Sequence, residues 1–168
     1  MIHICSLSRL HHTVETAGAR HLVTLLKDTD LVQRPECVIA DNHLILGMDD
    51  IAVPIDGYVA PADEHVNRLI AFVRGWDRAA PLVVHCYAGI SRSTAGAYVA
   101  ACALNPRRDE LQIAQALRLA SPTATPNPRI VSLADRMLRR DGRMVAAIES
   151  IGQGATAYEG TPFRLELE

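Results

Sequence analysis

The stretch Leu82–Tyr98, LVVHCYAGISRSTAGAY, constrains this chain more than any other. A short continuous apolar run ending in His85 and Cys86 reads as a strand buried on both faces. Small residues and Gly89 follow, Arg92 stands six places after the cysteine, and a helix-forming run begins. A cysteine between a strand end and a helix start sits at the positive end of the helix dipole, which favours a thiolate. Tyr87, Ala88, Gly89, Ile90 and Ser91 supply successive backbone N–H groups, and Gly89 has the freedom to let them curl into an anion-binding nest. Such a nest at a helix N-terminus fits a phosphate. Arg92 adds a planar fork that grips two phosphoryl oxygens at once, and Ser93 places a hydroxyl close to the sulfur.

The elements around this stretch predict an α/β fold with a mostly parallel central sheet flanked by helices, and a helical C-terminal half. MIHICSL reads as a first strand, followed by a helix that Ser8 caps and Gly18 ends. Residues 20–26 and 43–48 are further apolar strands. From Pro61 the period changes, with Val66, Leu69, Ile70 and Val73 on one helical face up to Gly75. After the cysteine loop come helices stopping at Asn105–Pro106, at Ser121–Pro122 and near Asp141–Gly142, then a last one ending at Gly152. If the strands before and after the Pro61 helix are parallel, the acidic loop after Met48 and the cysteine loop open at the same sheet edge. We expect one catalytic domain over residues 1–150 and a C-terminal tail over 151–168, with residues from Phe163 either an edge strand or a loose end.

Composition excludes several classes. The chain has 168 residues, 49% of them hydrophobic, and a net charge of −2, so the overall charge gives no reason to expect a nucleic-acid or membrane partner. No run approaches the roughly 20 apolar residues of a membrane span, and the first residues lack the pattern of an export signal, so a cytoplasmic protein is expected. Cys5, Cys37, Cys86 and Cys102 form no C-x-x-C pair and no Cys/His cluster, so neither a metal nor another cofactor is expected. Arg136, Arg139, Arg140 and Arg143 fall at helical spacing and read as a solvated basic stripe.

HCYAGISRS, residues 85–93, resembles the signature of the cysteine-dependent protein tyrosine phosphatases, and MDDI with SPTATPNPRIV resembles the compact dual-specificity branch of that superfamily. The resemblance implies a tyrosine phosphatase-like fold and hydrolysis of phosphomonoesters, most simply protein phosphotyrosine, through a phosphocysteine. It implies that Cys86 is the nucleophile, Arg92 with residues 87–91 holds phosphate, Ser93 assists thiolate departure and Asn127 braces the loop; His85, at a strand end, reads as a packed residue that orients the loop from behind. It also implies an upstream aspartate as general acid. Asp49, Asp50 and Asp56 lie 37, 36 and 30 residues before Cys86; Asp50, followed by Ile51, matches the pattern best, with Asp49 supporting the same loop. Phosphoinositide or RNA 5′-phosphatase activity, and a non-catalytic phosphoprotein-binding module, are the competing readings. The partner is in each case a phosphorylated protein or other phosphomonoester.

Overall fold

In the computed structural model, which describes residues 1–167, Leu82–Cys86 forms the central strand of a five-stranded sheet, and all five of its side chains are buried. A strand packed on both faces has no use for polar alternation, which is why this run is uninterrupted. The strands are β1 (Ile2–Ser6), β2 (His21–Leu25), β3 (His43–Leu46), β4 (Leu82–Cys86) and β5 (Phe163–Leu165), in the spatial order β3-β2-β4-β1-β5. β4 pairs parallel with β1 on one side and β2 on the other, β2 pairs parallel with β3, and only β5 runs antiparallel, along β1.

Helix α1 (Leu10–Ala17) covers one face of the sheet, packing Leu10 and Val14 with Cys5, Leu22, Val38 and Val83. The other face carries α2 (Asp63–Gly75), α3 (Arg92–Leu104), α4 (Glu110–Ala120), α5 (Pro128–Met137) and α6 (Arg143–Ile151). The α2 stripe is buried as its spacing predicts, through Val66, Leu69, Ile70 and Val73, each contributing roughly 1.5–3 kcal/mol of apolar burial. Cys86 belongs to this second apolar layer and Cys5 to the first. Burial pushes the Cys5 and Cys102 thiols up to about 12, so both are inert apolar side chains. Among the described residues no helix is long and apolar enough to cross a membrane.

Two local expectations are corrected, and one left open is decided. Ser8 does not cap α1: a 3-10 turn, Leu7–Arg9, intervenes, Arg9 precedes the helix, and the Ser8 hydroxyl donates to Glu159 instead. The arginine stripe does not exist, because α5 stops at Met137 and Arg139, Asp141 and Gly142 all take positive φ. The break is stabilised by Asp135, whose carboxylate accepts from the N–H groups of Gly142 (2.7 Å) and Met144 (2.7 Å) at the start of α6. Arg140 consequently turns inward, only 6% exposed, with Nη1 2.7 Å from Glu110 Oε1 and Nη2 donating to the Cys102 carbonyl. Finally, the segment after Phe163 is an edge strand, its register fixed by Ile2 opposite Leu165 and Ile4 opposite Phe163.

A polar row crosses the sheet behind the cysteine. Thr24 Oγ1 lies 2.7 Å from His85 Nε2 and 2.8 Å from His43 Nε2, so the hydroxyl donates to one imidazole and accepts from the other. Burial is the largest cause holding both histidines down to about 4; a hydrogen bond with the Cys86 backbone opposes it at His85, and Arg34 reinforces it at His43. The unfolded chain, with histidines near 6.5, takes up these protons first on acidification. Stability is therefore fully present above pH 6.5 and lost progressively as pH falls toward 4. Thermal melts across this interval should show a falling midpoint, and His43→Gln should make the fall shallower; equal slopes for the two proteins would refute the neutral pair.

Candidate active site

Cys86 ends β4 and Arg92 begins α3, so the intervening loop is stretched between the most buried strand and a helix buried along nearly its whole length. Four of the loop carbonyls are claimed from outside. Tyr87 O accepts from Leu7 N–H (3.1 Å), Ala88 O from Gly160 N–H (2.8 Å), Ile90 O from Thr125 N–H (3.0 Å) and Ser91 O from Asn127 N–H (3.3 Å). A planar trans peptide points its N–H opposite to its C=O, so these four bonds turn the amides of Ala88, Gly89, Ser91 and Arg92 toward the loop's interior. The Gly89 amide indeed donates to Cys86 Sγ, at 3.3 Å.

Gly89 is obligatory here. Its φ is +73°, and a Cβ on it would lie 2.7 Å from Ser6 N and 2.8 Å from the Cys5 carbonyl carbon. Both the left-handed backbone and the contact with the end of β1 exclude a side chain.

Cys86 Sγ is 2% exposed at the residue level and lies 3.2 Å from the buried Ser93 hydroxyl. Arg92 is 9% exposed; its Nη1 donates to the Met48 carbonyl at 2.8 Å, while its buried Nε has no acceptor among the described residues. A buried guanidinium donor left without a protein partner fits an oxyanion ligand, because an unsatisfied buried donor is otherwise costly. His85, wholly buried, reaches Thr24 rather than the loop mouth.

The loops after β3 and β4 open at the same edge, as parallel strands require, and meet there across β2. Asp50 Oδ1 accepts from Ser91 Oγ (2.7 Å) and from Asn127 Nδ2 (2.8 Å). Asn127 Oδ1 caps α5 by accepting from the Arg129 and Ile130 amides at 3.0 and 3.1 Å. One asparagine thus joins the acidic loop, the cysteine loop and a helix start. Asp49 faces elsewhere: its Oδ2 accepts from Val59 N–H (2.7 Å) and lies 3.4 Å from Lys27 Nζ. Asp56 is exposed, with no side-chain partner among the described residues. Sequence reasoning therefore brings together Cys86, Arg92, Ser93, Asn127 and Asp50, and the structure separates Asp49 and Asp56 from them. It missed Thr24, His43, the Ser91–Asp50 bond and Gly160, none of which carries a local pattern.

The fold is shared with solved phosphatases. The Cydia pomonella PTP-2 phosphatase is 20% identical, with a TM-score of 0.63 over 80% of this chain and 84% of that one. Human DUSP28 is 20% identical, with a TM-score of 0.60 over 83% and 88%. PTPMT1, in a complex with PI(5)P, is 12% identical, with a TM-score of 0.62 over 83% and 91%. No curated protein matches the chain. A family model described as "Polymorphic toxin system, DSP-PTPase phosphatase" matches residues 9–106, which include β2, β3 and β4, the acidic loop and the whole cysteine loop. Spanning more than half of the sequence, that match shows that the chain belongs to this phosphatase family, Tc-R-P.

Proposed function

We propose that the protein is a cysteine-dependent phosphatase that hydrolyses phosphotyrosine, and phosphothreonine or phosphoserine more slowly, through a phosphocysteine. The observation that carries this reading is the bond from Ser91 in the cysteine loop to Asp50, which holds a carboxylate at the rim of a cradle built around Cys86. Cys86 thiolate attacks phosphorus, an S–P bond forms and the P–O bond to the leaving group breaks. Arg92 and the inward amides hold the three non-bridging oxygens as charge redistributes over them. Asp50, entering protonated, gives its proton to the departing oxygen. Both structural bonds to Asp50 fall on Oδ1, which leaves Oδ2 for the transfer. Water then attacks phosphorus, Asp50 takes a proton from it, the S–P bond breaks and phosphate leaves. Ser93, 3.2 Å from the sulfur, stabilises the departing thiolate by donating its hydroxyl hydrogen. Asp49 stiffens the acidic loop through Val59 and Lys27. In this reading no metal ion or cofactor takes part in either step.

An aryl substrate is supported by the surface next to the cradle. A cavity of about 350 Å³ adjoins the loop and is lined by Leu7, Ser8, Tyr87, Ala88, Tyr158 and Glu159. Two of its walls are tyrosine rings and its one charge is negative, which suits a phenyl ring and disfavours the additional phosphates of a phosphoinositide. Turnover measured side by side on phosphotyrosine peptide, phosphothreonine peptide, phosphoinositide and 5′-phosphorylated RNA tests this, with the first expected fastest. A faster phosphoinositide rate would replace the protein-phosphatase reading.

Cys86→Ser should abolish turnover while vanadate binding persists, since the amides and Arg92 remain. Residual turnover near the wild-type rate would end the covalent mechanism. Arg92→Lys should lower kcat/KM on every substrate, because a point charge cannot reproduce the two-oxygen grip. Asp50→Asn should cost on the order of 10²–10⁴-fold on phosphotyrosine and much less on an activated aryl phosphate, whose leaving group needs no proton. Asp56→Asn should resemble wild type and Asp49→Asn should lie between. A selective defect in Asp56→Asn instead would move the general acid to that residue.

A further inference from the structure

The C-terminal segment runs over the outside of the cysteine loop before it joins the sheet. Gly154 N–H donates to Thr125 Oγ1 at 3.1 Å and Ala155 N–H to the Pro122 carbonyl at 2.9 Å, against the same turn that holds Ile90. Glu159 then accepts from the hydroxyls of Ser6 and Ser8, and Ser6 is the residue opposite Cys86 in the β1–β4 ladder. Gly160 follows, donating its N–H to the Ala88 carbonyl at 2.8 Å. A Cβ on Gly160 would lie 2.9 Å from Gly89 O and 3.4 Å from both the Gly89 carbonyl carbon and Ile90 Cγ1.

Three backbones are therefore stacked with no side chain between them: Cys5–Ser6, Gly89 and Gly160. Gly89 lacks room for a Cβ toward the first, and Gly160 lacks room toward Gly89. The peptide between Ala88 and Gly89 is clamped, its carbonyl held by Gly160 on the outside and its N–H aimed at Cys86 Sγ on the inside.

We propose that Glu159 and Gly160 form a strap that positions the phosphate-binding loop, so that the C-terminal segment belongs to the catalytic apparatus of the reaction proposed above. Gly160 is a positioning residue: it acts on phosphate through the Ala88–Gly89 peptide, and Glu159 anchors the strap on β1. The inference rests on the cradle being a phosphate site, and the experiment separates the two.

The measurements are kcat and KM for para-nitrophenyl phosphate, the inhibition constants of inorganic phosphate and vanadate, and the protection of Cys86 from iodoacetamide by vanadate. Wild-type protein should be protected; absence of protection would overturn the phosphate site itself, before the strap is considered. Gly160→Ala, folded by circular dichroism, should weaken phosphate and vanadate binding about tenfold or more and lower kcat/KM by about 10- to 100-fold. Glu159→Gln, a near-isosteric change on an exposed side chain, should move both in the same direction by less. Arg164→Ala, an exposed side chain of β5 whose one ion pair among the described residues is with Glu166 at 3.2 Å, should change neither. Should Gly160→Ala fail to fold, Glu159→Gln alone decides. Wild-type inhibition constants in the folded strap variants, or a loss of kcat that merely follows the folded fraction, would show that the segment only stabilises the sheet and would overturn the proposal.

Discussion

The outward anchoring of the loop carbonyls is the constraint on which the rest of the site depends. A seven-residue loop that must present successive amides to one point leaves its carbonyls facing the protein, and each needs a donor there. Here the donors come from four places: the turn after β1, the C-terminal strap, the turn at Thr125 and the cap of α5. Removing any one frees a peptide to rotate and withdraws an amide from the interior. Elements distant in sequence are thus held in place by the same geometry that would bind phosphate, which explains why the loop sits where the sheet, α3 and α5 converge.

The polar groups behind and beside the loop divide the work by charge. Thr24, His43 and His85 form a neutral row under the cysteine, because burial keeps both imidazoles unprotonated, so the positive potential at the cradle derives from Arg92 and the amides. Arg92 in turn is oriented by the Met48 carbonyl at the end of the β3 strand region, the segment that leads directly into Asp50. The guanidinium and the proposed proton donor are therefore positioned from the same stretch of backbone. A shift of that stretch would disturb anion binding and proton transfer together.

What was legible in the sequence is what local chemistry encodes. The strand-to-helix passage through Cys86, the need for glycine at position 89, the Val66–Val73 stripe and the parallel arrangement follow from spacing over a few residues or from alternation of elements. What was not legible depends on distant partners. The arginine spacing at 136–143 is helical, yet a carboxylate at Asp135 makes it better to end one helix and start another, and Glu110, far away in sequence, draws Arg140 inside. Ser8 has the chemistry of a cap, but Glu159 competes for its hydroxyl from the other end of the chain. Gly160 offers no local signal at all, since its requirement is set by the backbone of Gly89.

The distance along the chain from Asp50 to Cys86 illustrates why counting residues is a poor guide to placement in a loop. Between β3 and α2 the backbone leaves the sheet, makes a turn in which Tyr58 N–H donates to Ile55 O at 3.1 Å, and returns. Its base is pinched by two bonds between Asp49 and Val59, one from each backbone amide, both 2.7 Å long, and Lys27 lies over the Tyr58 ring at 5.4 Å. Residues 51–58 therefore form an excursion whose length adds nothing to the distance between its ends. Asp50 sits at the pinched base, within reach of Ser91 and Asn127, while Asp56 rides at the exposed tip. Asp56 is nearer to Cys86 in sequence yet makes no bond to the loop among the described residues, and the longer spacing of Asp50 is absorbed by the excursion. The pinch also underlies the intermediate role proposed for Asp49: its bonds go to Val59 and Lys27, not to the cysteine loop, and it fixes the point from which Asp50 departs.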